Sequence, residues 1–216
     1  MTSPTISNRS IFLRVADQIN VALERHFWLF AAIFTVQFLA WAVVMDARTK
    51  MWFDELFTLH IAQQASSGEL VKTSLEDVAP PLYALIVHAI LPWVRDEALA
   101  VRLPATLGYC GMVVFLLAFC RKRLPAVYSF GAALLACNAF LYYSTEGRAY
   151  GLVMCCAAGS LFFWQAAAGG SRRILTIPLL AFCLALMTAW HTTQFSFWFR
   201  YLWRRWCAGE GLEGLI

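Results

Sequence analysis

Residues 27–45 contain no charged side chain. At a helical rise of about 1.5 Å per residue such a run reaches roughly 28 Å, close to the hydrocarbon thickness of a bilayer. Further apolar runs follow at 103–120, 127–143, 150–168 and 174–189, with a shorter one at 81–94. Lipid offers backbone N–H and C=O groups no partner, so such segments are confined to helices that satisfy their own hydrogen bonds. The fold class is therefore all-α: a polytopic helical bundle in a membrane.

The balance of residue types agrees. The 216-residue chain is 61% apolar and 14% charged, where a soluble domain carries about a quarter charged residues. Its net charge of +4 is spread over segment ends. That pattern is a topology signal and not a nucleic-acid surface. The seven cysteines lie mostly inside apolar runs, none in a C-x-x-C pair, and read as small apolar fillers.

Residues 1–26 carry Arg9, Arg14 and Arg25 ahead of the first run. That run is too long for a cleavable signal core, and Asp46-Ala47-Arg48 makes a poor cleavage site. The expectation is an uncleaved anchor with residues 1–26 in the cytoplasm. A transmembrane core over 27–193 follows, with a first outer loop at 46–79, and then an aromatic and basic tail at 194–216. Six full crossings would put Arg121-Lys122-Arg123 and Arg172-Arg173 outside, against the positive-inside tendency. If the short run at 81–94 does not cross, both clusters fall inside. The knot Ser144–Arg148 and His191 then share the outer side with Asp54. This second arrangement is preferred.

The outer loop holds most of the chemistry. Trp52-Phe53-Asp54-Glu55-Leu56 opens it, and residues 53–64 carry apolar side chains at helical spacing. They predict an amphipathic helix, lying on the membrane surface or packed on the bundle. A carboxylate such as Asp54 or Glu55 can take the proton of an incoming hydroxyl; acids also simply suit a helix N-terminus. Asp77-Val78-Ala79-Pro80-Pro81-Leu82-Tyr83 closes the loop and starts the next helix, since proline tolerates the first helical turn. Arg102, just before Pro104, reads as an interfacial anchor or a phosphate contact. Ser144-Thr145-Glu146-Gly147-Arg148-Ala149-Tyr150 places an acid and a base between two apolar runs. It reads as an interfacial turn in an aromatic belt or as a bidentate phosphate site. His191 is a packed histidine or a phosphate contact.

The order of these pieces matters more than any one of them. An N-terminal anchor, W-F-D-E, D-x-x-P-P-L-Y, x-R-L-P and S-x-E-G-R-A-Y resemble, over residues 20–195, the N-terminal half of the GT-C membrane glycosyltransferases. The nearest likeness is to glycosyltransferase family 39, the dolichyl-phosphate-mannose protein mannosyltransferase-like group. That group includes lipid A aminoarabinose and lipopolysaccharide galacturonic acid transferases. The resemblance implies a polyprenyl-phosphate sugar as donor and a hydroxyl on lipid, glycan or protein as acceptor, met outside the cytoplasm of a bacterial inner membrane. It implies Asp54 as base, with Glu55 its matching neighbour, and places Pro80, Pro81 and Arg148 near the lipid phosphate. The full donor and substrate set comprises Asp77, Pro80, Pro81, Tyr83, Arg102, Glu146, Arg148, Tyr150 and His191. No cofactor is implied with certainty. A divalent metal lacks support, since Ala79 stands where this family often has histidine.

Members of that family are usually much longer, so an alternative is a truncated, inactive copy or a partner subunit. A small transporter is a third reading. It is disfavoured because transporters keep ionisable residues inside their spans, whereas here charges are expected at segment ends.

Overall fold

The computed structural model describes residues 15, 17–76, 81–170 and 172–207; for residues 140, 142 and 191–207 only the backbone is described. Among these the chain is helical with no strand. Beyond a helical stretch at residues 17–25, the described helices are α1 (Phe27–Arg48), α2 (Phe53–Ala62), α3 (Ser67–Glu76), α4 (Pro81–Ile90), α5 (Glu97–Arg121), α6 (Ala126–Phe140), α7 (Tyr150–Ala168) and α8 (Arg173–Cys207). A 3-10 turn, Leu141–Ser144, extends α6. Among the described residues four segments are long and apolar enough to cross a membrane: α1, α5, α7 and the part of α8 from Arg173 to Trp190.

Contacts at the helix ends define the arrangement. At one end Glu24 pairs with Arg121 at the close of α5 and accepts from the Ala126 amide at 2.6 Å. At the other, Asp46 near the end of α1 meets Arg102 and Thr106 near the start of α5. The two helices are therefore antiparallel, and the segment between them leaves and returns at the same end. Helix α4, of 10 residues, is too short to cross a bilayer by itself. The 3-10 turn at the close of α6 returns to the Asp46 end, where Thr106 Oγ1 donates to Ser144 O at 3.1 Å. Together α6 and that turn rise about 30 Å. Helix α7 leads away again; with its amide O and N assigned from their surroundings, Gln165 donates to Phe119 O and accepts from Arg123 Nε. Helix α8 comes back, its Trp190 ring meeting Tyr83 edge-on. Arg25, Arg121, Lys122, Arg123, Arg172 and Arg173 thus share one end, and Asp46, Asp54, Glu55 and Arg148 the other.

Helices α5 and α7 form the tightest crossing. A Cβ on Gly108 would lie 2.6 Å from Gly151 C and Leu152 N, and one on Gly111 would lie 2.6 Å from Cys155 Sγ. Small residues there let the two backbones touch, which is how apolar helices gain dispersion contact without a hydrophobic drive between them. Tyr109, Met112, Val113 and Leu117 of α5 form one core with Phe27 and Ala31 of α1, Ala133 and Cys137 of α6 and Ala158 of α7.

Two boundaries differ from the sequence reading. The apolar run at 103–120, with Arg102 ahead of it, suggested a helix beginning near residue 103. Instead α5 begins at Glu97, because Asp96 caps it by accepting from Leu99 N at 3.0 Å. Proline is accommodated inside the helix, and Arg102 lies in its second turn instead of ahead of it. Nor does the last helix stop at 189: its backbone continues to Cys207 through the aromatic and basic tail.

Candidate functional site

Helix α2 opens on Trp52-Phe53-Asp54-Glu55. Glu55 occupies the third helical position, and its Oε2 accepts from Trp52 N at 2.9 Å, the carboxylate half of a capping box. The side chain then points into the bundle, where Glu55 is 3% exposed. Arg102 meets it as a fork. Nε donates to Oε1 at 2.8 Å and Nη2 to Oε2 at 2.7 Å. Oε1 also accepts from Gly147 N at 2.8 Å. Four donors fill the acceptor capacity of one carboxylate. Burial pushes the Glu55 carboxyl up. The bonds from Arg102, Trp52 and Gly147 outweigh it and hold the group below its usual range, so it is an ionised partner.

Arg102 is equally saturated. It is 2% exposed. Nη1 lies 2.6 Å from Asp46 O, 3.0 Å from Thr49 O and 2.7 Å from Thr49 Oγ1, and Nη2 reaches Lys50 O at 3.0 Å. All five guanidinium N–H donors are committed within the protein. Both sequence readings of Arg102, interfacial anchor and phosphate contact, give way to that of a buried tie between α5, the end of α1 and α2. Glu55 likewise, as placed, has no lone pair free for a substrate proton.

The water-facing pair is its neighbour. Asp54 and Arg148 are joined by an ion pair through Oδ2 and Nη2, with side chains 52% and 41% exposed. Arg148 follows Gly147 in the turn ahead of α7, where its N–H donates to Glu146 O at 2.7 Å. Glu146 is half-buried in that turn. Tyr150 begins α7 and packs edge-on against Tyr143, ring centroids 5.2 Å apart. Thus Asp54, Glu55, Arg102, Glu146, Arg148 and Tyr150 converge on one end of the bundle.

The remaining expected residues divide. Pro81 starts α4. Tyr83 is buried, and its hydroxyl donates to Val101 O at 2.7 Å, beside Arg102 but turned into the core. Asp77 and Pro80 lie outside the described residues. His191 falls in α8, where only the backbone is described. Among the described residues no group of three His, Cys, Asp or Glu side chains gathers as for a metal. Trp52 and Phe53 are 66% and 78% exposed, with Leu56 beside them, while Leu59, Ile61 and Ala62 are buried. The amphipathic helix expected over 53–64 therefore packs one face on the bundle and leaves its aromatic face open.

Sequence reasoning missed Asp46, which is fully buried. Its Oδ2 accepts from Thr106 Oγ1 at 3.0 Å, and its Oδ1 has no hydrogen-bond partner among the described residues. One signal was there. An acid in the last turn of a helix opposes the dipole, so it needs a tertiary partner. Thr106, one turn beyond Arg102 on the same face of α5, was the other.

Comparison with family models, with curated proteins and with solved structures found no match. The likeness to glycosyltransferase family 39 therefore rests on the ordered motifs.

Proposed function

We propose that this chain is a membrane glycosyltransferase of the GT-C type, or the N-terminal portion of one. It transfers a sugar from a polyprenyl-phosphate donor to an acceptor hydroxyl on lipid, glycan or protein. The observation that carries the reading is the pairing of Asp54 with Arg148. A half-exposed acid and a half-exposed base, distant in the chain, meet at the bundle end opposite the basic clusters. The positive-inside tendency assigns those clusters to the cytoplasm, which leaves the pair on the outer face, where lipid-borne sugars are used.

The chemistry asks one thing of each residue. Asp54 takes the proton of the acceptor hydroxyl as its oxygen attacks the sugar's anomeric carbon. The bond from that carbon to the phosphate oxygen breaks, and the polyprenyl phosphate leaves with the electron pair. Arg148 stabilises the charge that gathers on the phosphate. One displacement inverts the anomeric configuration. Glu55 and Arg102 offer no ion path, since every hydrogen-bonding position on them is filled by protein; Asp46 beside them keeps one carboxylate oxygen without a partner among the described residues.

The test is release of polyprenyl phosphate by the protein in proteoliposomes. The donors are polyprenyl-phosphate mannose, aminoarabinose and galacturonic acid; the acceptors are lipid A and a serine-rich peptide. Asp54→Asn should slow release on the order of a hundredfold or more, as loss of a general base does. Release undiminished in Asp54→Asn would remove Asp54 from the reaction.

A further inference from the structure

We propose that Glu55, Arg102 and Gly147 form a positioning clamp that holds Asp54 against Arg148. Its role in transfer rests on the glycosyltransferase reading; its geometry does not. Glu55 Oε1 accepts from Arg102 Nε and from Gly147 N, both at 2.8 Å. Asp54 is the chain neighbour of Glu55, and Arg148 of Gly147. A single buried oxygen thus ties the two backbone segments whose next residues form the exposed pair.

The energetics assign the direction of control. A water-exposed ion pair contributes about 0–1 kcal/mol, too little to order two loops against their conformational entropy. The buried fork is bidentate, nearly dry, and completed by two backbone amides. Gly147 belongs to it for a steric reason. A Cβ there would run into Val101 Cγ1 and come within 3.2 Å of Glu55 Cγ and Oε1. Only glycine lets the turn press this close to the carboxylate. Glu55 and Arg102 are therefore positioning residues. They touch no substrate, but they fix the distance between an acid and a cation that must act together.

Disulfide trapping tests this with the exposed pair itself removed. The double variant Asp54→Cys/Arg148→Cys, in membranes with a short bis-methanethiosulfonate reagent that replaces the reach of the lost side chains, should cross-link, with the bridged peptide identified by mass spectrometry. Adding Glu55→Ala removes all four bonds to the carboxylate, and loss of the one to Gly147 N should slow bridging about tenfold. A second pair at the far end of the bundle, Glu24→Cys/Ala126→Cys, reports general loosening and should bridge at an unchanged rate with or without Glu55→Ala. An unchanged 54–148 rate in Glu55→Ala, or equal slowing of both pairs, overturns the clamp. Binding of undecaprenyl phosphate separates this inference from the transferase reading. It should weaken about tenfold in Glu55→Gln if Arg148 is held for a phosphate. If the wild-type chain does not bind that lipid while 54–148 bridging still depends on Glu55, the clamp stands and the donor assignment falls.

Discussion

Replacing Gly151 with alanine should destabilise the bundle, against the intrinsic preference of helices for alanine. In an open helix the exchange stabilises by up to about 1 kcal/mol. At Gly151 the added methyl would collide with the carbonyl oxygen of Ala105 and lie 2.7 Å from its carbonyl carbon and 3.0 Å from its Cα. These are backbone atoms of α5, so no rotamer change makes room, and the two helices must separate along the whole crossing. Overpacking of this kind costs about 1–3 kcal/mol; with backbone on both sides the upper part of that range applies. After the helix-propensity gain the net is a loss of about 2 kcal/mol, roughly a thirtyfold shift toward the unfolded state. Gly131 is the control. It lies within α6 with nothing inside 4 Å of where its Cβ would sit, so Gly131→Ala should be neutral or stabilising by up to about 1 kcal/mol. Denaturant titration of both variants in detergent micelles, followed by circular dichroism, gives the comparison. Gly151→Ala matching or exceeding the stability of Gly131→Ala would refute the crossing. The loss should also reach the site, because Gly151 lies one turn after Gly147, and Ala105 three residues after Arg102.

Tyr83→Phe removes the donor to Val101 O from a buried position and should cost about 1 kcal/mol, measured in the same titration. Glu55 is held below its usual value in the folded chain, so its contribution to stability is present above its unfolded pKa of about 4.5 and is lost as pH falls through the folded value. Thermal melts from about pH 6 to pH 3 should therefore show a steeper acid loss in the wild type than in Glu55→Gln. For orientation, a membrane-impermeant maleimide applied to intact cells or spheroplasts should label Asp54→Cys, and should label Lys122→Cys only after permeabilisation. The reverse pattern would overturn the assignment of the site to the outer face.

The spans were legible in the sequence because lipid imposes one strong rule on length and polarity, and residues 27–45 and 150–168 meet it without ambiguity. The shortness of the helix at Pro81–Ile90 was legible from the shortness of its apolar run. Where reading failed, a local signal competed with a tertiary one. The apolar run at 103–120 suggests a helix start there, but Asp96 supplies an earlier cap and the helix runs on through Pro104. Asp54 and Glu55 are adjacent and chemically alike, so composition cannot tell which faces water. Helical geometry turns them about 100° apart, and only the partner surface, Arg102 with Gly147, decides which is buried. Asp46 resembled the polar end of a span. Its burial depends on a helix that starts some fifty residues later.

The buried cluster is better understood as a specifier of register than as a source of stability. Replacing a buried ion pair by apolar side chains of similar volume is often neutral or stabilising, so folding alone does not call for Arg102 or Glu55. What apolar substitutes cannot do is choose partners. The donors of Arg102 select Asp46 O at the end of α1, Thr49 and Lys50 in the connection, and Glu55 in α2; a leucine would pack against any of them in several registers. In that setting the unequal charge matters: one guanidinium lies among two carboxylates, Asp46 and Glu55. The fork goes to Glu55, while Asp46 gives Arg102 only its backbone carbonyl and offers its side chain to the Thr106 hydroxyl. That hydroxyl has a single proton and three acceptors in reach, Asp46 Oδ2, Arg102 O and Ser144 O. The cluster therefore reaches the α6–α7 turn at two points, Thr106 Oγ1, whose one proton is shared among those three acceptors, and Gly147 N. The second tie is the stronger because its acceptor is ionised, and it is the one that sets Arg148 beside Asp54.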